Sequence, residues 1–217
     1  MFYFDEINGN KVLKSDLLND TFHCFTTRGV KLSSMISSDK INLVSPVQTH
    51  SDNVELVGES SEYLSTDGLI LTQKNTMIAL RFADCTPLIF YDKKQKIGAV
   101  THAGWRGTAK KIAVKTIQKM KSNPNDIIAI IGPAIGICCY EVSEDVKIQL
   151  LKTVNNNNDL YNCRNVDLKK INARQLEEIG VAKIDICPYC TSCNNDLFYS
   201  YRKEKGTSER HFGIFML

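Results

Sequence analysis

Short apolar runs rich in β-branched residues recur along the first two thirds of the chain, separated by charged or turn-forming residues. Each run is four or five residues long, which suits strands with one or both faces covered. The predicted strands lie at residues 22–26, 54–57, 68–71, 77–80, 88–91, 98–101 and 127–131, with two further short strands near the end of the chain at 198–201 and 212–216.

Helical patterning is clearest at residues 108–120, where apolar positions recur at intervals of three and four among lysines and predict a helix with one covered face. The other predicted helices lie at 143–151 and 167–179. Asp167 has the side chain of a helix cap, and Gly180 is a typical helix stop. Residues 58–65 lack apolar periodicity and are predicted to form a loop.

The order of these elements favours one fold class. Strands come first, helices follow, and short strands return at the end, which favours an α+β domain of packed layers over regular βαβ alternation. With 217 residues and no convincing linker, residues 1–217 are expected to form a single domain with mixed sheets.

Composition and charge exclude several classes of protein. The chain has 27 basic and 24 acidic residues in mixed clusters, and it lacks the basic stripe that nucleic-acid binding requires. It has neither a secretory pattern at its start nor an apolar segment that could span a membrane. We therefore expect a cytoplasmic protein, whose eight cysteines are reduced and available as buried residues, metal ligands or nucleophiles.

Three short motifs each offer one side chain that binds metals well: QTH at 48–50, ADC at 83–85 and HAGWRG at 102–107. Together they predict a zinc-like centre of His50, Cys85 and His102. Three protein ligands leave the fourth tetrahedral position open, which is typical of catalytic zinc. Asp84 could orient a ligand histidine. Each residue also has an ordinary interpretation, such as a hydrogen-bonded histidine, a buried thiol or a turn cap.

Other polar positions complete the set of candidates. Arg106 follows a strand and precedes a helix, a junction that attracts anions; the alternative is that Trp105 fills the core and Arg106 is an ion-pair partner. The glycine and proline turn at 132–136 lacks the lysine of a P-loop, so no nucleoside triphosphate site is indicated. The cysteines at 187, 190 and 193 have metal-ligand spacing, but a closed site needs a further ligand from Cys138, Cys139 or Cys163.

Several motifs in a fixed order resemble one known family. They are QTHSDNV, TDGLI, RFADCTPLIFYD, VTHAGWRGTAKK, IGPAIGICCYEV and CTSCNNDLFYSYRKEKG. This set is similar to the YfiH/YlmD family, whose members carry the laccase-domain label and are also described as purine nucleoside phosphorylases and as peptidoglycan editing factors. The similarity extends from about residue 23 to the end of the chain. It departs from the family pattern at Cys187 and at Glu209-Arg210, where glycine-arginine is usual.

The resemblance implies an α-β-β-α layered domain with zinc held by His50, Cys85 and His102. It also implies phosphorolysis of adenosine, inosine, guanosine and S-methyl-5'-thioadenosine, with hydrolytic deamination of adenosine. The partners would be small purine nucleosides and phosphate, and the oligomeric state stays open. Phosphate needs cationic side chains, and the candidates are Arg28, Arg81 and Arg106. The acid or base candidates are Asp84, Cys139 and Glu141.

Three other functions compete with this interpretation. Cys85 could be a thiolate nucleophile activated by His102 or His50, as in a cysteine hydrolase or a peptidoglycan-precursor editing enzyme. Copper-dependent phenol oxidation would follow the laccase label, but the chain has four histidines, too few for several imidazole-rich copper sites. A non-catalytic domain with a structural metal would instead require four protein ligands.

Overall fold

The structure is a computed structural model, and it describes residues 1–36, 38, 40–58, 60 and 62–217. In chain order the strands are β1 (Phe2–Ile7), β2 (Asn10–Ser15), β3 (Phe22–Thr26), β4 (Asn42–Val44), β5 (Val54–Leu56), β6 (Gly68–Leu71), β7 (Thr76–Phe82), β8 (Thr86–Asp92), β9 (Ile97–Ala103), β10 (Ile127–Ile131), β11 (Tyr161–Asn162), β12 (Asn165–Val166), β13 (Lys183–Ile186) and β14 (His211–Met216). The helices are α1 (Trp105–Ala109), α2 (Ile112–Met120), α3 (Glu144–Leu151) and α4 (Leu168–Glu178), with short 3-10 helices at Asp16–Leu18, Leu32–Met35 and Pro124–Asp126.

Two six-stranded mixed sheets form the centre of the fold. The first has the order β1-β2-β3-β14-β7-β4, and the second has the order β13-β10-β8-β9-β6-β5. Most neighbours are antiparallel, but β4 runs parallel to β7, β5 to β6 and β13 to β10. No helix in the described part of the chain has the length and apolar character needed to cross a membrane.

Successive apolar side chains along the strands point to opposite faces of each sheet, so both faces of each sheet are covered. In β7, Ile78 and Leu80 face the core between the sheets, whereas Met77 and Ala79 face the opposite side. A strand buried on both faces reads as a continuous apolar run. The same alternation in β8 directs its odd-numbered residues inward and its even-numbered residues toward the helices.

The outer layers differ between the two sheets. Helices α2 and α4 cover the second sheet through Ile112, Ile117 and Leu176. The outer face of the first sheet packs instead against the 3-10 helix that contains Met35. These layers confirm the predicted α+β class, a layered domain with mixed sheets.

Two predicted elements are wrong in detail. The helix expected at 108–120 is divided into α1 and α2, because Lys111 has a left-handed backbone with φ of 57°. The strand expected at 198–201 is absent, and that segment is irregular, with the Ser200 N–H donating to the Glu204 carboxylate at 3.0 Å. The predicted loop at 58–65 includes positions 59 and 61, which lie outside the described residues.

Candidate active site

Three side chains with metal-binding atoms meet where strands of the two sheets end. Cys85 occupies the turn between β7 and β8, His102 lies near the end of β9, and His50 lies in the loop after β4. Pairing of β8 with β9 sets Pro87 opposite His102, which brings Cys85 beside that histidine. The three ligand atoms lie within 4.8 Å of one another. The structure therefore brings the three predicted ligands together.

The backbone conformation at His50 and the glycine at position 104 allow the candidate ligands to lie close to the main chain. His50 has a left-handed conformation with φ of 60°, which is uncommon for a residue with a side chain and is concentrated at functional loops. A Cβ at Gly104 would lie 3.0 Å from the Cys85 Sγ and 3.1 Å from a carbon of the His50 ring. A larger residue at Gly104 would therefore displace two of the three candidate ligands.

The donor set fits zinc. Two imidazole nitrogens and one thiolate are ligands that zinc prefers, and three of them leave one position open. A second group of metal-binding side chains with equally close atoms consists of Cys138, Cys139, Cys190 and Cys193. It lies on other loops, so the two groups can be separated by substitution.

Asp67 fixes the geometry of the centre from behind. This buried carboxylate contacts Nδ1 of His102 at 2.7 Å and accepts backbone hydrogen bonds from Thr49, His50 and Ser51 at 3.1, 3.1 and 2.7 Å. Burial opposes its ionisation, but the bonds from His102 and Ser51 outweigh burial and lower the pKa of Asp67 to about 2. With Nδ1 engaged, Nε2 of His102 is the nitrogen available to a metal.

Asp67→Asn should lower the affinity of the centre for zinc about tenfold to a hundredfold, because a neutral amide holds the His102 tautomer less firmly. Competition with a chromophoric chelator measures this affinity, in a Cys193→Ser background that disables the second cysteine group. Asp52→Asn is the matched control, since Asp52 is paired with surface lysines. Equal zinc affinities in the Asp67 and Asp52 variants would show that Asp67 does not support metal binding by His102.

Cys85 and His102 favour each other's charged form. Burial opposes the thiolate, but the positive charge of His102 and hydrogen bonds from both histidines lower the pKa of Cys85 to about 6. Burial likewise opposes the imidazolium, but the Cys85 thiolate and Asp67 raise the pKa of His102 to about 9. The sulfur is therefore already in its ligating form at neutral pH, whereas His102 still carries a proton.

Zinc binding to this centre should depend on pH in a specific way. Zinc requires a neutral imidazole and a thiolate, so between pH about 6 and about 9 each bound ion displaces the proton of His102. The apparent affinity should rise about tenfold per pH unit in that window. It should level off above the window and fall more steeply below it, where Cys85 is also protonated. Chelator competition across this range, again with Cys193→Ser, would contradict the assignment if the affinity stayed constant.

A cavity of about 840 Å³ opens in front of the centre. Its size is in the range of small-molecule sites. The cavity contains all three candidate ligands, the ring of Tyr140, and three arginines: Arg81, Arg202 and Arg210. Burial raises the pKa of Tyr140, so its phenol stays protonated and can donate a hydrogen bond. The cavity is thus lined both by the three candidate metal ligands and by three cationic side chains.

The predicted arginines lie in different places. Arg81 lines the cavity, and within the described part of the chain its guanidinium has no carboxylate partner. Arg28 lies outside the lining because it forms an ion pair with Glu204 at 2.6 Å and stacks on Tyr199. Arg106 is exposed and stacks on Trp105, with 4.4 Å between its guanidinium and the ring, and it is not among the lining residues either.

The acid or base candidates also have other partners. Asp84 lines the cavity, but its carboxylate accepts hydrogen bonds from Thr191 Oγ1 at 2.6 Å and from the Arg202 backbone N–H at 2.7 Å. Asp67, not Asp84, is the carboxylate in contact with a ligand histidine. Glu141 is paired with Arg164 at the surface, and Cys139 belongs to the second cysteine group.

Three functional candidates were missed by reasoning from the sequence. Asp67 has one signal, a lone carboxylate directly before an apolar strand, which is also typical of a turn. Arg202 lies in the charged run 202–205, which has the pattern of a solvated surface. Tyr140 belongs to the motif IGPAIGICCYEV, in which the sequence drew attention to the thiols and the glutamate rather than to the ring.

Fold and site together define a class of protein, namely a two-sheet α+β protein in which His/Cys/His candidate metal ligands lie together at the strand ends. The chain belongs to the family described as multi-copper polyphenol oxidoreductase laccase, whose sequence model matches residues 18–217. This match and the structural relatives confirm the resemblance found in the motifs.

The chain is similar to several named proteins and solved structures. It is 34% identical to the purine nucleoside phosphorylase YlmD of Bacillus subtilis, over 82% of this chain and 72% of that protein. It is 34% identical to a purine nucleoside phosphorylase of Clostridium acetobutylicum, over 77% and 73%. The crystal structure of the Bacillus licheniformis hypothetical protein YfiH superposes with a TM-score of 0.85 at 28% identity, covering 95% of this chain and 96% of that one.

Proposed function

We propose that this protein is a zinc-dependent purine nucleoside phosphorylase that also deaminates adenosine. Its substrates would be adenosine, inosine, guanosine and S-methyl-5'-thioadenosine, and its products the free base and the 1-phosphate of the sugar. The observation that carries the proposal is that one cavity is lined both by His50, Cys85 and His102 and by three arginines. The relatives named as purine nucleoside phosphorylases support the same activity.

The residues of the centre would hold the ion and fix its position. His50 and His102 supply nitrogens, Cys85 supplies a thiolate, and Asp67 orients His102 from behind. When bound, zinc supplies Lewis-acid catalysis and activates water for deamination. Placing these ligands on strand ends and a tight loop keeps the centre rigid while its open side faces the cavity.

The three arginines that line the cavity would hold phosphate for its attack on the sugar. In phosphorolysis a phosphate oxygen forms a bond to C1', the bond from C1' to the purine nitrogen breaks, and its electron pair leaves with the base, which takes up a proton. Guanidinium groups bind phosphate in a bidentate manner and screen its charge as the bond forms. We assign this role to Arg81, Arg202 and Arg210, which line the cavity. The guanidinium groups of Arg202 and Arg210 also donate to backbone carbonyls, so Arg81 is the main candidate. The Tyr140 phenol would donate a hydrogen bond to the base.

Adenosine separates the two chemistries in one experiment. Metal-quantified protein is incubated with adenosine, with and without phosphate, and the purine products are resolved. We expect adenine only when phosphate is present. We expect inosine without phosphate, and inosine together with the hypoxanthine formed from it when phosphate is present. Absence of adenine at saturating phosphate would refute the phosphorylase, and absence of inosine in the incubation without phosphate would refute the deaminase.

A second candidate function rests on the charged forms of Cys85 and His102. A thiolate beside an imidazolium is the arrangement of a cysteine hydrolase, and a peptidoglycan precursor would be a candidate substrate. Removal of zinc by a chelator distinguishes the two candidates. A hydrolase would keep its activity without metal and lose it to iodoacetamide, whereas the phosphorylase would lose activity with the metal.

Copper-dependent phenol oxidation has less support from the residues present, although copper would accept these ligands. Several coppers would need more imidazoles than the two at this centre. The other two histidines are committed elsewhere: His23 accepts a hydrogen bond from the Ser15 N–H at 3.0 Å, and His211 is buried beside Phe198.

A further inference from the structure

Four cysteines from two loops meet at a point separate from the His/Cys/His centre. Cys138 and Cys139 follow β10, and Cys190 and Cys193 follow β13. All four sulfurs lie within 4.8 Å of one another. The Cys193 sulfur is 3.5 Å from that of Cys138 and 3.5 Å from that of Cys139. The four sulfurs are thus close enough for a single metal ion to contact all of them.

The spacing of the sulfurs fits a single tetrahedral ion. Zinc–sulfur bonds of about 2.3 Å give a tetrahedron with edges of about 3.8 Å, close to the distances observed. Iron–sulfur clusters distribute their cysteines over more than one iron and therefore hold the sulfurs further apart. A disulfide would use two of the thiols and leave the close approach of the other two unexplained.

The backbone is built to bring these thiols together. A parallel bridge links Ala134 to Cys190, and the Thr191 N–H donates to the Ala134 carbonyl at 3.1 Å. The Gly136 N–H donates to the Cys190 sulfur at 3.1 Å, as N–H groups commonly do around metal-bound thiolates. A Cβ at Gly136 would lie 3.2 Å from the Cys190 Cβ and 3.3 Å from the Cys138 sulfur, so glycine permits the contact between the loops.

We propose that Cys138, Cys139, Cys190 and Cys193 form a second metal site, a closed four-thiolate site for a structural zinc ion. Soft thiolates in tetrahedral geometry select zinc. The thiols would release their protons to solvent as the ion binds. All four positions are filled by protein sulfur, so this ion would have no open position for a substrate.

The site lies behind one wall of the active-site cavity. Tyr140, which lines the cavity, directly follows Cys139, and the Arg202 guanidinium donates to the Cys139 and Glu141 carbonyls at 3.4 and 3.0 Å. An ion that joins the two loops would therefore hold Tyr140 and Arg202 in register. Its role is to position the wall of the cavity rather than to take part in the reaction.

Metal counting on the full chain tests the proposal. Wild-type protein loaded with zinc and freed of excess should hold about two ions per chain, and Cys193→Ser and Cys85→Ser should each hold about one. Cys163→Ser is the matched control with about two, because Cys163 is exposed and lies outside both groups. One ion in the wild type that disappears in Cys85→Ser would overturn the proposal.

A second readout remains available if Cys193→Ser does not fold. In Cys85→Ser the four cysteines are intact, and cobalt added to metal-free protein should produce intense thiolate-to-metal charge-transfer absorption that zinc then abolishes. Absence of that absorption, iron retained at the site in place of zinc, or a disulfide among these cysteines in non-reducing mass spectrometry would each overturn the assignment.

Discussion

Cys85→Ala is expected to abolish zinc binding at the His/Cys/His centre and to lower kcat/KM for adenosine phosphorolysis and deamination by about 10³-fold or more, since Lewis-acid stabilisation is worth several kcal/mol. The substitution removes one of three ligands and the only anionic one. It removes little volume from a half-buried turn between β7 and β8, so the fold should persist, as circular dichroism can verify. Total zinc should fall by one ion per chain.

Cys163→Ala provides the control for thiol removal, because it deletes an exposed cysteine that belongs to neither metal-binding group. It should leave zinc content and both activities unchanged. Full turnover by Cys85→Ala in a metal-analysed preparation would show that Cys85 does not hold the catalytic ion. Loss of phosphorolysis alone would show that the two reactions do not share one centre.

Arg81→Ala is expected to raise KM for phosphate about tenfold to a hundredfold, which corresponds to the loss of one charge-assisted hydrogen bond. Deamination of adenosine needs no phosphate and should change little. The selective effect follows from position, because Arg81 lines the cavity with no carboxylate partner in the described part of the chain. Steady-state kinetics of both reactions on the same preparation measures the difference.

Arg106→Ala is the matched control for Arg81→Ala. Arg106 is also exposed, but it stacks on Trp105 and does not line the cavity. Its removal should therefore raise KM for phosphate less than removal of Arg81 does. Equal losses of phosphorolysis and deamination in Arg81→Ala would argue that this side chain supports the fold of the cavity instead of binding phosphate. A larger rise in KM for phosphate in Arg106→Ala than in Arg81→Ala would show that Arg106 binds phosphate, as its position between a strand and a helix predicts.

The strands of the core could be predicted because both of their faces are buried. The residues of β6 and β10 form continuous apolar runs, and their predicted bounds match the structure. The hairpin of β1 and β2 was missed because its exposed face dilutes the apolar pattern. Its turn at Asn8-Gly9, with φ of 50° and 73°, is nonetheless a recognised hairpin signal.

The candidate ligands could be proposed from sequence because each lies within a short motif at a predicted strand end or turn. Their convergence could not be derived from spacing alone, since His50 lies in the loop between β4 and β5, His102 lies in β9, and the two meet only through tertiary packing. Asp67 shows the same limit, because its contacts with His102 and the 49–51 backbone join segments far apart in sequence. Arg28 was predicted to bind phosphate because the sequence does not reveal its ion-pair partner, Glu204, which is 176 positions further along the chain.

The most direct test of the account uses inosine, which has no exocyclic amine and so reports phosphorolysis alone. Zinc-loaded protein is incubated with inosine and phosphate, and hypoxanthine and ribose 1-phosphate are quantified together. The account predicts equal amounts of the two products, formed only with phosphate and lost in Cys85→Ala. Hypoxanthine accompanied by free ribose, or no hypoxanthine at all, would contradict it.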